Sequence, residues 1–348
     1  MRKPVTGPMS GEQVYDLTII GGGPAGMYAA FYAGMREMRV KVIEGKDELG
    51  GFLHTYAEKM IWDVGGIPPI RCAALIQQLA EQAVTFDPTL VFNQRIEGMI
   101  RHPNGLIELL THTGARHLTR TVLIAVGRGV AELMRLDVEG AERYELTNLH
   151  YTVTRLDQFR DKRVLISGGG NSAVDWALEL AERGARVTVV HRKDEFRAME
   201  RNVGAMRQAV QVFTPCRIVR LHGEQNRVHA VTLLHTSTGC EERIEVDDVI
   251  VSHGYSRSED TMVRWGLPLE DGMLRVDEHA VTSLPGVYAA GDCSIRPGKV
   301  RLIAGAFNDA VLAVNSAKSY LEPEADGMAY VSSHNELFRE RNRQLRES

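Results

Sequence analysis

The sequence predicts an α/β protein built from two Rossmann-like, three-layer nucleotide-binding domains, with the second domain inserted into the first. Three observations predict this class. The chain has 348 residues, about twice the ~150 residues of one ordinary domain. Glycine triplets occur twice, at residues 21–23 and 168–170. Each triplet separates a strand-like segment from a helix-like one and is followed by a second strand, so the chain repeats one βαβ unit.

The two copies of this unit have the same order of elements. In the first copy, Asp16–Ile20 is predicted as a strand, Pro24–Met35 as a helix and Arg39–Glu44 as a second strand. The second copy begins at Arg163 with the strand RVLIS, continues through GGGNSA into a helix that ends at Glu182, and closes with the strand RVTVVH. Two copies predict two nucleotide-binding domains. We expect residues 1–127 and 253–348 to form the first domain and residues 128–252 the second.

The remaining segments are assigned more coarsely. A β-rich stretch, Arg101–Val126, lies between the two copies, and Val228–Val251 is predicted to form hairpin strands with a turn near Gly239. A third glycine signal at Gly286–Asp292 precedes a predicted helix over Ala304–Leu321. From residue 338 onward the tail FRERNRQLRES is polar and rich in arginine.

Composition excludes several classes of protein. Hydrophobic residues make up 44% and charged residues 25% of the chain, as is typical of a soluble globular protein. The net charge is −4, so the basic face that nucleic-acid binding requires is not expected. No apolar run reaches the ~18–20 residues of a membrane span. Arg2 and Lys3 are not followed by the apolar segment of a signal peptide, which predicts a cytoplasmic protein.

The four cysteines are also informative. Cys72, Cys216, Cys240 and Cys293 include no C-x-x-C pair. This spacing predicts neither a zinc site nor a disulfide framework. We therefore expect no metal and interpret the cysteines as core thiols.

The first glycine loop has the pattern of a dinucleotide site. Gly21-x-Gly23-x-x-Gly26 allows a tight turn, a close approach of pyrophosphate and close packing of the helix on the strand. Glu44 ends the next strand, where a carboxylate can bind a ribose. The alternative is a tight turn without a ligand. The loop residues assigned to this site are Gly21, Gly23, Pro24, Ala25 and Gly26.

The second loop has a different partner at the same offset. His191 occupies the position equivalent to Glu44, and Arg192, Lys193 and Arg197 follow it. A basic cluster binds a 2′-phosphate, which a carboxylate would repel, so this loop is predicted to bind NADP. The alternative is a charged helix start. A protein with two dinucleotides most simply passes hydride between them, which makes the first one FAD. The loop residues assigned to NADP are Gly168, Gly170, Asn171, Ser172 and Ala173.

These motifs resemble the low-molecular-weight thioredoxin reductase superfamily. The resemblance rests on GGGPAG with Glu44, on GGGNSAVD with HRKDEFRA, and on AAGD ending at Asp292. It sharpens to the thioredoxin-reductase-like ferredoxin/flavodoxin–NADP reductases through YAEKMIWDVGGIP, NLHYTVTRLDQF and GKVRLIAGAFNDAVLAVNSAKSYL. Nearly the whole chain, from Tyr15 to Phe338, is covered.

A missing motif separates this chain from thioredoxin reductases. Those enzymes carry C-x-x-C just before the second glycine loop, where this chain has Tyr151–Thr154 without sulfur. Glutathione-reductase-type enzymes place their disulfide after the first βαβ unit, where this chain has Gly50–His54. Without a protein dithiol, electrons must leave the flavin directly to an acceptor.

The resemblance implies roles for further residues. Glu44 would bind the FAD ribose, Asp292 the FAD linker, and Tyr56 would stack on the isoalloxazine ring. The helix that begins near Ala304 would direct its positive end at the flavin. Two alternatives stay open, a core aromatic for Tyr56 and a helix cap for Asp63. The other cofactor positions implied by the resemblance are Gly51, Phe52, Asp63, Ile96, Ala131, Val331 and Ser333.

The chain departs from the family pattern at Phe52, and the family position that covers the second flavin face has more than one candidate residue. Phe52 stands where the family often has Gln, so one flavin hydrogen bond is not expected. Val331 and Ser333 are the ungapped matches to the residue that covers the second flavin face, whereas His334 fits only with a shift.

The resemblance implies an FAD-dependent ferredoxin/flavodoxin–NADP(+) reductase that acts as a homodimer. The flavin carries the chemistry, so no catalytic acid or base is assigned. Two rival hypotheses are an NADPH-dependent reductase of low-molecular-weight disulfides and a flavoprotein redox sensor. For the arginine-rich tail, docking of an acidic carrier and a solvated chain end both stay open.

Overall fold

The computed structural model describes residues 13–127, 131–145, 147–153, 155–257, 260–329, 336–339 and 342–343. The chain forms two compact units. The first comprises Met1–Val130 together with Arg257–Ser348, and the second comprises Ala131–Ser256. The second unit therefore interrupts the chain of the first.

The first unit contains a large seven-stranded sheet, six strands of which come from the first part of the chain. Its first elements are β1 (Tyr15–Ile20), α1 (Pro24–Met35), β2 (Val40–Ile43), β3 (Met60–Ile61), β4 (Ile70–Arg71), α2 (Cys72–Ala83), β5 (Thr89–Val91), β6 (Ile96–Arg101), β7 (Ile107–Thr111) and β8 (Arg116–Ile124). The strand order is β5-β2-β1-β8-β7-β6, parallel from β5 to β8 and antiparallel from β8 to β6. Every residue of β2 is buried, as expected for a strand covered on both faces.

The second unit contains the repeated βαβ unit and a small meander. Its elements are β9 (Ala131–Leu133), β10 (Leu149–His150), β11 (Arg163–Ser167), α3 (Asn171–Glu182), β12 (Arg186–Val190), α4 (Glu200–Ala209), β13 (Gln211–Phe213), β14 (Cys216–Glu224), β15 (Arg227–His235), β16 (Glu241–Glu245), β17 (Asp248–Val251) and β18 (Tyr255–Arg257). A parallel sheet has the order β10-β17-β11-β12-β13, and β14-β15-β16 form an antiparallel sheet.

The chain then returns to the first unit. The elements here are α5 (Asp260–Arg264), β19 (Leu269–Glu270), β20 (Met273–Arg275), β21 (Val287–Ala289), β22 (Ser294–Ile295) and α6 (Ile303–Leu321). β21 pairs in parallel with the last residues of β8 and completes the large sheet. The element order and the parallel strands at the centre of both large sheets confirm the predicted α/β class with two Rossmann-like units.

Close packing of α1 explains its small residues. Ala29, Ala30 and Ala33 are buried on α1 and belong to one core with Ala310 and Ala313 of α6. Small side chains let the two helices approach each other and the sheet. α1 and α6 thereby pack together in one core with Leu17 and Ile19 of β1 and Tyr288 of β21.

One sequence prediction was wrong in the second unit. β15 and β16 form the predicted hairpin with its turn at Gly239, but β17 leaves the hairpin and pairs in parallel with β11 and β10. Val249 and Ile250 of β17 are fully buried, so this strand is central and not an edge hairpin. Among the described residues, no helix is both long and apolar enough to cross a membrane.

Candidate functional site

The first glycine loop is a cradle that side chains cannot enter. Gly21 has φ +106°, and a Cβ there would lie 2.5 Å from the carbonyl oxygen of Ala125. A Cβ on Gly26 would lie 1.9 Å from the carbonyl oxygen of Gly21. Only glycine fits at either position, so the turn is tight and α1 packs directly on β1. The loop thus has the geometry that the sequence predicted.

The start of α1 presents free backbone donors. Gly23 is the N-cap residue and supplies no side-chain cap, and Pro24 is the first helical residue. No acidic side chain occupies the first turn, which contains Ala25 and Gly26. The N–H groups of this turn therefore point toward the loop without a side-chain acceptor, and the helix dipole favours an anion there. A pyrophosphate fits this arrangement.

Glu44 is held in place by the loop itself. Its Oε2 accepts a hydrogen bond from the backbone N–H of Gly22 at 2.6 Å, and its Oε1 accepts one from the backbone N–H of Lys46 at 2.9 Å. The carboxylate is buried at the end of β2. Two backbone donors fix its orientation beside the loop, where a ribose hydroxyl would have to bind.

The segment predicted to flank the flavin packs on the same loop. A 3₁₀ helix spans Gly51–Tyr56, and a Cβ on Gly51 would lie 2.9 Å from the Cα of Gly23. Phe52 and Tyr56 are half-buried and meet edge to face, with ring centroids 5.2 Å apart. Lys59 Nζ lies 5.5 Å from the centroid of the Tyr56 ring. Tyr56 therefore borders the core and keeps one part of its ring accessible.

Three other predicted flavin contacts have different surroundings. Asp63 is exposed and caps no helix, since α2 has Arg71 as its N-cap, so the helix-cap alternative was wrong. Ile96 is buried at the start of β6, in a core that includes Ile20 and Ile43, and packing alone accounts for it. Ala131 begins β9, and its side chain lies outside the description. Val331, Ser333 and His334 also lie outside the described residues.

The late glycine signal forms a turn beside the start of α6. Gly291–Cys293 is a short 3₁₀ helix in which Asp292 is half-buried. α6 begins at Ile303, one residue before the predicted start, with Leu302 as an N-cap that supplies no side-chain cap. Ala304 is exposed in its first turn, which contains no acidic residue. Like α1, α6 therefore presents free backbone donors at its positive end.

The second glycine loop is also too close to its neighbours for side chains at its first two glycines. A Cβ on Gly168 would lie 2.5 Å from the carbonyl oxygen of Ser252, and one on Gly169 would lie 2.2 Å from the His191 ring. Gly170 is the N-cap of α3 and supplies no side-chain cap. Asn171 Oδ1 accepts a hydrogen bond from the backbone N–H of Met199 at 3.1 Å. Ser172 is half-buried and Ala173 fully buried in the first turn.

The predicted basic cluster lies against this loop. The backbone N–H of Arg197 donates to the carbonyl oxygen of Gly169 at 2.7 Å, while the side chains of Arg192, Lys193 and Arg197 are exposed. Burial lowers the pKa of His191, with further contributions from these three cations. These effects favour the neutral form of His191 in the protein without NADP, and a phosphate dianion bound beside it would favour its protonated form.

One pair of side chains at this loop was not foreseen. Ser167, at the end of β11, lies 2.8 Å from His253, measured from Oγ to Nε2. Burial lowers the pKa of His253, and Arg192 and His191 add to this effect. Their places in the sequence could have indicated this pair. Ser167 ends β11 and His253 lies two residues after β17, its parallel neighbour, and ligands of open α/β sheets bind at the carboxyl ends of such strands.

Three of the four cysteines are core thiols as predicted, and the prediction was wrong for Cys240. Cys72, Cys216 and Cys293 are buried, and Cys240 is exposed. Burial raises the pKa values of Cys72 and Cys293 to about 11. Cys293 Sγ donates to the carbonyl oxygens of Ala290 and Ile124 at 3.2 and 3.3 Å. A protonated, hydrogen-bonded thiol is a poor nucleophile.

The residues of both loops fit the cofactors that the sequence predicted. FAD needs a pyrophosphate cradle, a carboxylate for a ribose and a positive helix end, and the first unit offers all three in Gly21–Gly26, Glu44 and α6. NADP needs a similar cradle with a basic cluster in place of the carboxylate. The second unit offers that combination in residues 168–173 and 191–197.

Comparison with known proteins shows the family of the chain. Residues 15–316 match the model of the pyridine nucleotide-disulphide oxidoreductase family. The chain is 51% identical over 340 residues to "Ferredoxin--NADP reductase 1" of Shouchella clausii, covering 97% of this chain and 98% of that protein. It is 51% identical over 335 residues to the protein of the same name from Bacillus pumilus, covering 96% and 97%.

A solved structure with the same architecture is the thioredoxin reductase of Lactococcus lactis, with a TM-score of 0.75 and 27% identity over 88% of this chain and 99% of that one. The chain therefore belongs to the pyridine nucleotide-disulphide oxidoreductase family and, within it, to the thioredoxin-reductase-like ferredoxin–NADP reductases.

Proposed function

We propose that this protein is an FAD-dependent ferredoxin–NADP(+) reductase. The proposal rests on one observation. Two glycine loops at equivalent positions of the two units contact residues of different chemistry, the carboxylate Glu44 at the first loop and His191 with its neighbouring arginines at the second. The relatives that share half of its residues carry the same activity in their names. When bound, FAD would supply the chemistry of hydride transfer with NADPH and of one-electron transfer with the carrier protein.

The chain's own residues bind and orient the two cofactors. Glu44, fixed by Gly22 and Lys46, holds the ribose of FAD, and the uncapped ends of α1 and α6 stabilise its phosphates and its reduced, anionic ring. Arg192 and Arg197 bind the 2′-phosphate of NADP and thereby select it over NAD. Tyr56 supports one face of the flavin ring. No side chain is required to take or give a proton in the reaction.

Several finer assignments belong to the same proposal. Residues 1–127 and 253–348 bind FAD, and residues 128–252 bind NADP. The carrier is a ferredoxin or a flavodoxin, and the enzyme works as a homodimer in the cytoplasm; the family resemblance supports these points. In the tail, Arg339 pairs with Glu336 at 3.3 Å, which leaves fewer charges for an acidic carrier. Arg341 and Arg346 lie outside the described residues.

The deciding experiment compares acceptors side by side. The purified holoenzyme is reduced with NADPH and offered ferredoxin, flavodoxin, and a low-molecular-weight disulfide such as bacillithiol disulfide in separate reactions. We expect rapid turnover with at least one carrier protein and none with the disulfide. Turnover with the disulfide alone would replace the proposal by the disulfide-reductase hypothesis. Flavin reduction without transfer to any acceptor would favour the sensor.

A further inference from the structure

A buried group of charges holds the turn that carries Asp292. Asp309, on α6, is an ion-pair partner of Lys299 and of Arg296, whose Nη2 lies 3.3 Å from Asp309 Oδ1. The side chains of Asp309 and Lys299 are only 3% and 5% exposed. Such a pair is costly to bury and is retained only where its geometry is well satisfied. Its position therefore needs an explanation.

Both backbone groups of Gly291 are fixed by this pair. Its N–H donates to Asp309 Oδ2 at 3.1 Å, and its carbonyl oxygen accepts from Lys299 Nζ at 2.8 Å. Lys299 Nζ also donates to Ser294 Oγ at 2.9 Å. All three donors of the ammonium group are therefore used. Lys299 is bonded to a residue before Asp292, to a residue after it, and to α6.

Gly291 lies where three parts of the proposed FAD site meet. A Cβ placed on it would lie 3.2 Å from Cβ of Ala25, in the first turn of α1, and 3.9 Å from Cβ of Ala306, in the first turn of α6. A shift of Gly291 would therefore displace Asp292 relative to both uncapped helix ends. The Lys299–Asp309 pair sets this relationship.

We propose that Lys299 is a positioning residue for FAD, which acts through Gly291 and Asp309 and adds a fixed positive charge beside the flavin site. This inference rests on the proposed function only in taking the first unit as the FAD site. The charge has a separate consequence from the geometry. Reduction of the flavin adds negative charge, so a nearby ammonium favours the reduced form and raises the reduction potential of the flavin.

The test measures FAD affinity and reduction potential, neither of which requires a carrier protein. Lys299→Met keeps the length of the side chain and removes its charge and three hydrogen bonds. We expect FAD to bind at least about tenfold more weakly. We also expect the equilibrium between oxidised and reduced flavin to shift about tenfold toward the oxidised form, which is about 30 mV for a two-electron couple.

Two further variants separate positioning and charge from general damage to the fold. Asp309→Asn removes the negative charge that offsets the positive charges of Lys299 and Arg296. The reduction potential of the flavin should therefore rise, whereas it should fall in Lys299→Met. Lys318→Met is the matched control, because Lys318 lies on the same helix, is 13% exposed and pairs with Glu322 at 2.7 Å, but makes none of the contacts to Gly291. It should leave both measurements within about twofold of the parent enzyme.

The outcomes are distinct. If the parent enzyme binds FAD and Lys299→Met binds it equally well at the same potential, the inference is overturned while the proposed function stands. Shifts of equal sign in Lys299→Met and Asp309→Asn would also overturn it. If the parent enzyme takes up no FAD, the proposed function and this inference are both overturned. Should Lys299→Met not fold, Ser294→Ala keeps every charge and removes two hydrogen bonds of Ser294 Oγ, the one from Lys299 Nζ and the one that it donates to the carbonyl oxygen of Gly291 at 2.9 Å. Weaker FAD binding at an unchanged potential supports the positioning of Gly291 by this group of bonds, and unchanged binding overturns the inference.

Discussion

Glu44 Oε2 lies 2.6 Å from the backbone nitrogen of Gly22, the middle glycine of the first loop. In the second unit, the His191 ring occupies the equivalent place against Gly169. The residue after the second strand of each βαβ unit thus contacts the middle glycine of its own loop. Because both loops lead into an uncapped helix from an extended N-cap glycine, the chemistry of this one residue and its neighbours is what we expect to distinguish the two dinucleotides.

Replacement of Glu44 by Gln should weaken FAD binding. Both carboxylate oxygens accept backbone N–H donors, and an amide can present only one acceptor oxygen, so one donor would face an NH₂ group. The amide also lacks the charge that strengthens a hydrogen bond from a ribose hydroxyl, and a hydrogen bond to a charged group contributes about 1.5–3 kcal/mol, which is about tenfold to a hundredfold in affinity. Fluorescence titration of apoprotein with FAD measures the change. Glu58→Gln is the control, since Glu58 forms a surface ion pair with exposed Arg71 at 3.0 Å, and equal losses in the two variants would contradict the role of Glu44.

Selection of NADPH should depend on Arg192 and Arg197. Each charge-assisted contact with a phosphate contributes about 1.5–3 kcal/mol. Replacing both arginines with Ala should therefore raise the KM for NADPH by at least about tenfold to a hundredfold, the effect of losing one such contact, and change the KM for NADH little. Arg183→Ala, which removes a surface pair with Asp157 in the same unit, should affect neither. Parallel losses with both coenzymes would show that the cluster does not read the 2′-phosphate.

The affinity for NADPH should also depend on pH through His191. Burial and neighbouring cations lower the pKa of this residue in the free enzyme, whereas a bound 2′-phosphate would raise it. Binding then takes up a proton, so affinity increases as the pH falls toward the lowered pKa. Isothermal titration in buffers of different ionisation enthalpy measures the proton uptake. The proton uptake on NADPH binding should be reduced in His191→Asn. It should be retained in the control His229→Asn, which replaces an exposed histidine on β15. With NADH, which lacks the 2′-phosphate, the uptake should be small.

Local pattern was sufficient to predict the parts of the fold that the glycine loops organise. The predicted helix Pro24–Met35 and strand Arg163–Ser167 have the bounds found in the structure. In each case a glycine turn marks one end of the element, and the run of apolar residues within it favours the same assignment. By contrast, Asp248–Val251 has the composition of a hairpin strand, and only its partners place it in the middle of a parallel sheet.

The site could be predicted where chemistry is encoded in consecutive residues and not where distant segments meet. Glu44 and His191 follow their loops at a fixed spacing, so the sequence identifies them. The pairs Ser167–His253 and Lys299–Asp309 depend on the register of parallel strands and on the packing of α6. Neither relationship leaves a periodic signal along the chain.

Acid should destabilise the first unit through His117. Lys41 Nζ lies 3.1 Å from His117 Nδ1, and Gln94 Oε1 lies 2.8 Å from its Nε2. Burial and then the charge of Lys41 lower the pKa of His117 to about 4. The stability that neutral His117 contributes is present above its ordinary pKa of about 6.5 and is lost as the pH falls from there toward 4.

The loss between pH 7 and pH 5 should be about 1–2 kcal/mol. Urea denaturation of the holoenzyme at several pH values measures it. His117→Gln keeps a polar side chain that does not titrate, so its free energy of unfolding should fall less over this range. His279→Gln removes an exposed histidine of the same unit and should keep the pH dependence of the parent. Identical profiles for the parent and His117→Gln would exclude the residue as the cause.

No thiol should take part in turnover. Burial raises the pKa of Cys293, the cysteine beside Asp292, to about 11, and its Sγ donates to two carbonyl oxygens. A thiol with this pKa is almost entirely protonated near neutral pH and reacts slowly as a nucleophile. Cys293→Ser keeps a donor for the same carbonyl oxygens, so NADPH-driven reduction of the carrier should stay within about twofold of the parent rate. Cys240→Ser, at the exposed cysteine, is the control for cysteine replacement itself. If Cys293→Ser were still reduced by NADPH but no longer reoxidised by the carrier, electrons would leave the flavin through this thiol and not directly.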